Sequence, residues 1–233
     1  MMLNNVSVLI PYKPDNGLRD RLFKWVKAFY ETMMPEVELC IGETLSEPFN
    51  RSQAINIAAK QATRDVFVIA DADVFYDPQI LVQGMRLLDQ HAWVIPYFTW
   101  QDLSESSTEK LLVHSPQWPL PFKVKYKERK FKKSKPISGV NIVTRENFNK
   151  VKGFDERFVG WGREDNAFKD AMNTVCGPFI RLKSTSIYHL WHPKVGFRGN
   201  PNIGNNNKLF KRYTKNRGNI DKMKKLINER DQK

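Results

Sequence analysis

The sequence predicts an α/β layer fold with a mostly parallel central sheet flanked by helices. Three observations predict it. Short β-branched apolar runs alternate with amphipathic stretches through the first hundred residues, as strand–helix–strand units require. The run VFVIA at 66–70 is continuously apolar, as a strand covered on both faces must be. Hydrophobic content of 41% with 12% aromatic, in 233 residues, suffices for a buried core.

Each element follows from local pattern. VSVLI at 6–10 runs into Pro11 and reads as a buried strand entering a loop. Leu22, Trp25, Val26, Phe29 and Tyr30 recur at helical spacing, which predicts a helix over 18–31. EVELCI (36–41) reads as a second strand, and RSQAINIAAKQA (51–62) as a helix with Ser52 near its start. After VFVIA, Pro78 opens a helix through Leu88, and WVIPYF (93–98) is the next strand. The alternation weakens over 101–135, where Ser, Pro and Lys cluster, and this stretch reads as a long loop with local order around Trp118. A strand resumes within 136–147, a helix covers 163–174, and FIRLKSTSIYHL (179–190) reads as one further strand. Residues 198–207, with five Asn and two Gly, read as loop, and 208–230 as one basic amphipathic helix.

The net charge of +13 is unevenly placed. Residues 123–135, KVKYKERKFKKSK, carry eight basic residues and one acidic, a net +7. Residues 205–233 carry ten basic and three acidic, again +7, so the remainder is near neutral. Such segments suit a nucleotide diphosphate, an anionic polymer, an acidic membrane surface or nucleic acid. Solvated loops and a solubilising tail would carry the same charge. No apolar run approaches the ~18 residues of a membrane span, and the N-terminal stretch lacks the basic region of a signal peptide. Cys40 and Cys176 form no metal-type pair and suit a reducing, cytoplasmic setting.

Three clusters carry chemistry. Asp71 and Asp73 follow the third strand, where ligands sit in open α/β sheets. Their oxygens suit a divalent cation that bridges phosphates, although Asp-x-Asp by itself is more often a solvated turn. GWGREDN at 160–166 places Glu164 and Asp165 after Trp161, between two glycines. An aromatic face beside two acids fits a sugar and offers one carboxylate as a base; an acidic helix start would look the same. HLWHP brings His189 and His192 three residues apart, and imidazole beside carboxylate favours Mn²⁺ over Mg²⁺.

Taken in order, IPYK at 10–13, FNR at 49–51, DAD at 71–73, SGVNIVTRENFNKVKGFDE at 138–156, GWGREDN and HLWH resemble the GT-A glycosyltransferases. The similarity is to the catalytic part of β-1,4-galactosyltransferases and bacterial chondroitin-type polymerases. It covers roughly residues 6–200, and the order of motifs is far more specific than any one of them. The resemblance implies a GT-A domain over 1–204. The long basic loop over 101–135 and the basic tail or helix over 205–233 lie outside the matched motifs, and the loop is expected to act as a lid because enzymes of that fold often use a mobile loop there. It implies that Pro11, Tyr12 and Lys13 lie against base and ribose, that Phe49 and Arg51 contact uridine and its phosphates, and that Asp71 faces the ribose. Asp73 matches the metal-coordinating acid, completed by His189 or His192, with His189 favoured. Gly139, Trp161, Gly162 and Glu164 match sugar and acceptor contacts, and Asp165 matches the catalytic base. An acid at 165 matches inverting members; the retaining polypeptide N-acetylgalactosaminyltransferases carry Asn there. Arg163 stands where the family commonly has a second Gly, so it sets a bulky cation near the sugar pocket.

The implied activity is metal-dependent transfer of a sugar from a UDP-sugar to an acceptor hydroxyl, with inversion, using Mn²⁺ or Mg²⁺. The acceptor would be a carbohydrate or a polyanion such as teichoic acid or modified DNA. A peripheral contact with a membrane face or nucleic acid would run through the basic segments. A catalytically silent polyanion binder gains nothing from acids at 73, 164 and 165. A sugar nucleotidyltransferase would want a Gly-rich phosphate loop after the first strand, where the sequence offers only Gly17.

Overall fold

The structure is a computed structural model that describes residues 3–130, 135–193 and 199–231. Its centre is the strand β1 (Val6–Tyr12), buried along nearly its whole length. β1 pairs in parallel with β2 (Glu38–Glu43) on one side and with β3 (Val66–Ala70) on the other. The helix α1 (Leu18–Met33) buries the predicted stripe Leu22, Trp25, Val26, Phe29 and Tyr30, the i, i+3, i+4, i+7, i+8 pattern of a helix laid on a sheet. The helix α2 (Arg51–Gln61) is capped by Asn50, whose side chain accepts the Gln53 amide at 3.0 Å. Ser52 is the second residue of that helix, near its start as the sequence predicts.

The short strand β4 (Val74–Tyr76), the helix α3 (Gln79–Leu87) and the strand β5 (Trp93–Ile95) follow. Next come β6 (Thr99–Leu103), α4 (Glu105–Leu112), β7 (Tyr126–Glu128), β8 (Val140–Thr144) and α5 (Arg145–Lys150). The chain ends with α6 (Glu164–Val175), β9 (Phe179–Arg181), β10 (Ser186–His189), α7 (Ile203–Lys215) and α8 (Ile220–Asn228). The main sheet runs β2-β1-β3-β8-β5-β9, with β8 antiparallel to both of its neighbours. A second sheet, β4-β10-β6-β7, was not anticipated.

That second sheet corrects two expected strands. FIRLKSTSIYHL begins in the main sheet and finishes in the second one, and WVIPYF begins in the main sheet and ends at the bend just before β6. β5 pairs with β9, and after the bend β6 pairs with β10, both in parallel. Pro96 has no amide to continue the first ladder, and Ser184 turns its strand with φ +60°. At the bend the Phe98 and Thr99 amides both donate to the Thr185 carbonyl, at 2.9 and 3.1 Å. The two segments therefore turn together as one ribbon.

The expected loop over 101–135 contains α4 and β7. Ser104 caps α4 by accepting the Ser107 amide at 3.2 Å. The helix was illegible because its buried positions are Ser107, Thr108 and Leu111, which show no apolar stripe. β7 pairs with β6, and the Ser104 amide donates to the Lys125 carbonyl at 2.9 Å. Residues 125–129 of the proposed lid are thus fastened to β6 and the turn after it, whereas 131–134 lie outside the described residues.

The Asn-rich stretch is the second correction. Residues 203–207 open α7 and are not loop. The single helix expected over 208–230 is two, parted at Asn216–Asn219 where Gly218 takes φ +73°. Tyr213, Met223, Leu226 and Ile227 are buried, each worth about 1.5–3 kcal/mol of transfer free energy. The Tyr213 hydroxyl donates to Asp155 at 2.8 Å. Asp155 also accepts from the Arg157 guanidinium at 2.8 Å and lies 3.6 Å from Arg230. Among the described residues no helix is long and apolar enough to cross a membrane.

Candidate active site

Four charged groups meet where the carboxyl end of β3 faces the first turns of α2 and α6. Arg51 is the first residue of α2, and Glu164 and Asp165 begin α6. The Arg51 guanidinium donates to Asp71 through Nε at 3.0 Å and Nη2 at 2.6 Å. Its Nη1 donates to Asp165 at 2.8 Å and lies 4.0 Å from Glu164. Burial opposes its charge, but Asp165, Asp71 and Glu164 outweigh burial and keep the guanidinium firmly protonated. Burial pushes the Asp165 carboxyl up to about 7, reinforced by Glu164 and Asp71 and opposed by Arg51. Glu164 is raised as well, again chiefly by burial. A carboxylate so placed takes a proton near neutral pH, as a general base should.

Asp71 is located by its backbone: its amide donates to the Gly139 carbonyl at 2.9 Å. Gly139 has φ +87°, and a Cβ there would lie 2.5 Å from the Trp100 ring, so no larger residue fits.

The second sheet builds the other half of the site. Register sets His189 beside Val74 on one side and Asp102 on the other. Asp73 therefore lies next to His189, and the Leu190 amide donates to the Asp73 carbonyl at 2.9 Å. The Trp191 amide donates to Thr108 of α4 at 2.8 Å, which directs the chain so that His192 returns toward Asp73. His189 Nε2 is 3.7 Å from Asp73 Oδ1, and His192 Nε2 is 3.1 Å from Asp73 Oδ2. One donor atom from each of the three lies within 4.8 Å of the others. Burial works against charge on Asp73, but His189, His192 and Arg19 hold it well below the usual carboxylate range. Two imidazoles and one carboxylate fit a divalent cation, and mixed nitrogen and oxygen donors suit Mn²⁺ better than Mg²⁺. Both histidines converge, so the geometry brings together what the sequence left as alternatives. Arg19 at the start of α1 stands 3.7 Å from Asp73; no motif marked it.

Asp73, Asp102 and Asp155 all lie below the ordinary carboxylate range, each despite burial and through paired His or Arg groups. A depressed carboxyl contributes stability above its unfolded value, and that stability is lost as pH falls through the folded one. We expect the melting temperature to drop steadily as pH is lowered from 5 to 3. A melting temperature that held or rose over this interval would contradict the three assignments.

The loop 159–163 presents Trp161, 56% exposed. Positive φ at Gly160, Gly162 and Arg163 shapes it. Two asparagines from the stretch read as loop hold it from behind. Asn200 donates to the Val159 and Trp161 carbonyls at 3.1 and 2.8 Å. Asn206 donates to the Val159 and Gly162 carbonyls, both at 3.1 Å. A Cβ at Gly160 would meet Asn200 at 2.5 Å. Arg163 reaches α7, donating to Asn207 at 2.8 Å with its guanidinium 5.3 Å from the Phe210 ring. The Gly162 amide donates to Glu164 at 3.1 Å. Asn206→Ala removes a donor from the Val159 and Gly162 carbonyls and the acceptor of the Val159 amide, so it should cost about 1–3 kcal/mol in denaturant unfolding. A loss below about 0.5 kcal/mol, the range of ordinary surface substitutions, would contradict the clamp.

The predicted nucleotide side lies at the ends of β1 and β2. Pro11 and Tyr12 stand opposite Gly42 and Glu43 in register. Tyr12 stacks on Phe23 with ring centroids 4.1 Å apart and donates to Asp20 at 2.5 Å. Lys13 pairs with Glu47. Phe49 is half-buried just before α2.

Comparison with known proteins identifies the family and the fold. Residues 15–151, more than half of the chain, match the family described as glycosyl transferase family 2. Residues 120–193 match the one described as the N-terminal domain of galactosyltransferase. Human β-1,4-galactosyltransferase 6 is 29% identical over 95% of this chain and 52% of its own length. The chain thus spans about half the length of the curated relatives it matches. Among solved structures, a Drosophila β-1,4-galactosyltransferase 7 mutant complexed with manganese, UDP-Gal and xylobiose superposes with a TM-score of 0.52 at 17% identity, over 80% of this chain and 71% of that one. GalNAc-T7 with UDP, GalNAc and Mn²⁺ gives 0.52 at 12% identity, over 97% of this chain and 55% of that one. Strand–helix alternation, acids at the strand ends and a family match across most of that sheet converge: the chain belongs to glycosyl transferase family 2 and has the GT-A fold of glycosyltransferases.

Proposed function

We propose that the chain transfers a sugar from a UDP-sugar to an acceptor hydroxyl, with inversion at the anomeric carbon. The observation that carries this reading is the convergence of Asp73, His189 and His192, from three distant stretches, within 4.8 Å. A bound divalent cation, Mn²⁺ by preference, would be held by these three and would supply Lewis-acid neutralisation of the diphosphate leaving group. The named neighbours support the donor class: β-1,4-galactosyltransferase 7 and GalNAc-T7 are complexed with UDP-Gal or UDP, and with manganese.

The protein's own groups perform the remainder. Asp165 accepts the proton of the acceptor hydroxyl as that oxygen bonds to the anomeric carbon. The bond from the anomeric carbon to the diphosphate oxygen breaks on the opposite face, and its electron pair leaves with UDP. No second catalytic acid is required, because the diphosphate departs as an anion. Glu164 accepts from sugar hydroxyls. Trp161, exposed at the mouth, offers its face to an acceptor ring. Arg19, 3.7 Å from Asp73 and on the surface, is placed to pair with a diphosphate oxygen.

The test is UDP release across a panel of UDP-sugars. Chelator-treated protein should lose release, and Mn²⁺ should restore it; undiminished release in chelator would overturn the metal assignment. The silent polyanion binder is the weaker reading, because it leaves three acids gathered around one arginine without a purpose.

A further inference from the structure

We propose that Asp102 is a positioning residue for the metal site: it orients His189 so that Nε2 faces Asp73, and Arg129 from the basic segment secures Asp102. The inference rests on reading Asp73, His189 and His192 as metal ligands. β6 and β10 pair in parallel with Asp102 opposite His189, so both side chains leave the same face of the sheet. Asp102 Oδ1 lies 3.2 Å from His189 Nδ1. The other ring nitrogen, Nε2, faces Asp73 Oδ1 at 3.7 Å. Imidazole coordinates a cation through a nitrogen that carries no proton. A carboxylate on Nδ1 keeps the N–H on that side, leaves Nε2 bare toward Asp73 and strengthens it as a donor.

Asp102 is in turn held tightly. Arg129 Nε donates to Oδ2 at 2.9 Å, and Arg129 Nη2 donates to Oδ1. The Trp100 indole N–H donates to Oδ1 at 3.2 Å. The Arg129 guanidinium lies 4.2 Å over the Trp100 ring, and its backbone amide donates to the Trp100 carbonyl at 2.8 Å. The Trp100 ring is 5.6 Å from the His189 ring, so it walls the imidazole on one side. One basic residue of the segment that charge alone assigned to polyanions is therefore spent inside the protein. Nothing in WQDLSE marks Asp102 in the sequence, because the pairing that gives it a role crosses from residue 102 to residue 189.

The test is Mn²⁺ titration of the full chain, followed by the electron paramagnetic resonance signal of the free ion. Asp102→Ala should weaken Mn²⁺ binding by roughly 10–100-fold. Asp102→Asn, which keeps an acceptor for the Nδ1 proton, should recover part of that loss, and Arg129→Gln should weaken binding by less than Asp102→Ala. In a His189→Ala background, Asp102→Ala should add nothing, because its effect runs through that ring. A purely structural Asp102–Arg129 pair would lower the melting temperature and leave Mn²⁺ affinity unchanged. Wild-type affinity in Asp102→Ala, or an equal loss in both backgrounds, overturns the positioning role and leaves the metal reading standing. Absence of Mn²⁺ binding by the wild type overturns both. Should the alanine variant fail to fold, Asp102→Asn carries the same test: weakened binding that vanishes in His189→Ala supports the role, and unchanged affinity overturns it.

Discussion

Asp165→Asn is expected to lower turnover of a UDP-sugar with a good acceptor by roughly 10²–10⁴-fold. Asn is nearly isosteric and can still accept from Arg51, so the site keeps its shape and loses the base. The wild-type rate should rise with pH as Asp165 sheds its proton, with the limb centred near its raised value of about 7. The Asn variant should lack that limb. Stability should move the other way. A carboxyl raised from 3.8 to about 7 on folding binds more protons when folded, so this group's contribution to stability falls as pH rises through that window. The Asn variant carries no such charge, so its melting temperature relative to wild type should be higher at pH 8 than at pH 5. Full activity in Asp165→Asn, or an unchanged pH limb, would remove Asp165 from the role of base.

The sequence made one half of this site more legible than the other, for a physical reason. Strands β1 and β3 and helices α1 and α2 each bury a stripe or run of adjacent residues, so short-range periodicity exposed them. Asp71 and Asp73 follow the most apolar strand, and Asp165 lies in the first turn of a helix. Local pattern therefore marked all three positions while leaving a turn or a plain helix start open, and the order of motifs along the chain gave them roles. The second sheet was hidden because two of its strands, β6 and β10, continue segments that begin in the first. Pro96 and Ser184 turn the chain between two strand-like stretches, and a period of two looks the same before and after the turn. Arg19, Asp102 and Thr108 went unmarked because their partners lie 54, 87 and 83 residues away. Asn200 and Asn206 were misread for a related cause. Asparagine usually signals a turn because its side chain bonds its own backbone, but here both amides are satisfied by the carbonyls of the Trp161 loop.

Arg51→Met is expected to destabilise the fold by about 3–5 kcal/mol, the cost of leaving buried charges without their partner. Arg51 was expected on the donor's phosphates, yet in the structure its nitrogens lie on Asp71 and Asp165, with Glu164 at 4.0 Å. Methionine fills similar volume and removes the guanidinium that pairs with these acids. The missing charge would let Asp165 and Glu164 rise further above the carboxylate range, since Arg51 is the foremost group opposing burial at both. Protonation would then relieve much of the strain at low pH. The loss in unfolding free energy should therefore be larger at pH 8 than at pH 5, which denaturant midpoints at the two values would measure. Combining Arg51→Met with Asp165→Asn should cost less than the sum of the two single changes, because one repelling charge is gone. A guanidinium that served the donor's phosphates alone would leave the ligand-free fold untouched when removed. A loss below about 1 kcal/mol, or one equal at both pH values, would return Arg51 to that simpler role. The expected result would instead make it the counter-ion that lets an enzyme of this fold keep a proton-accepting carboxylate buried.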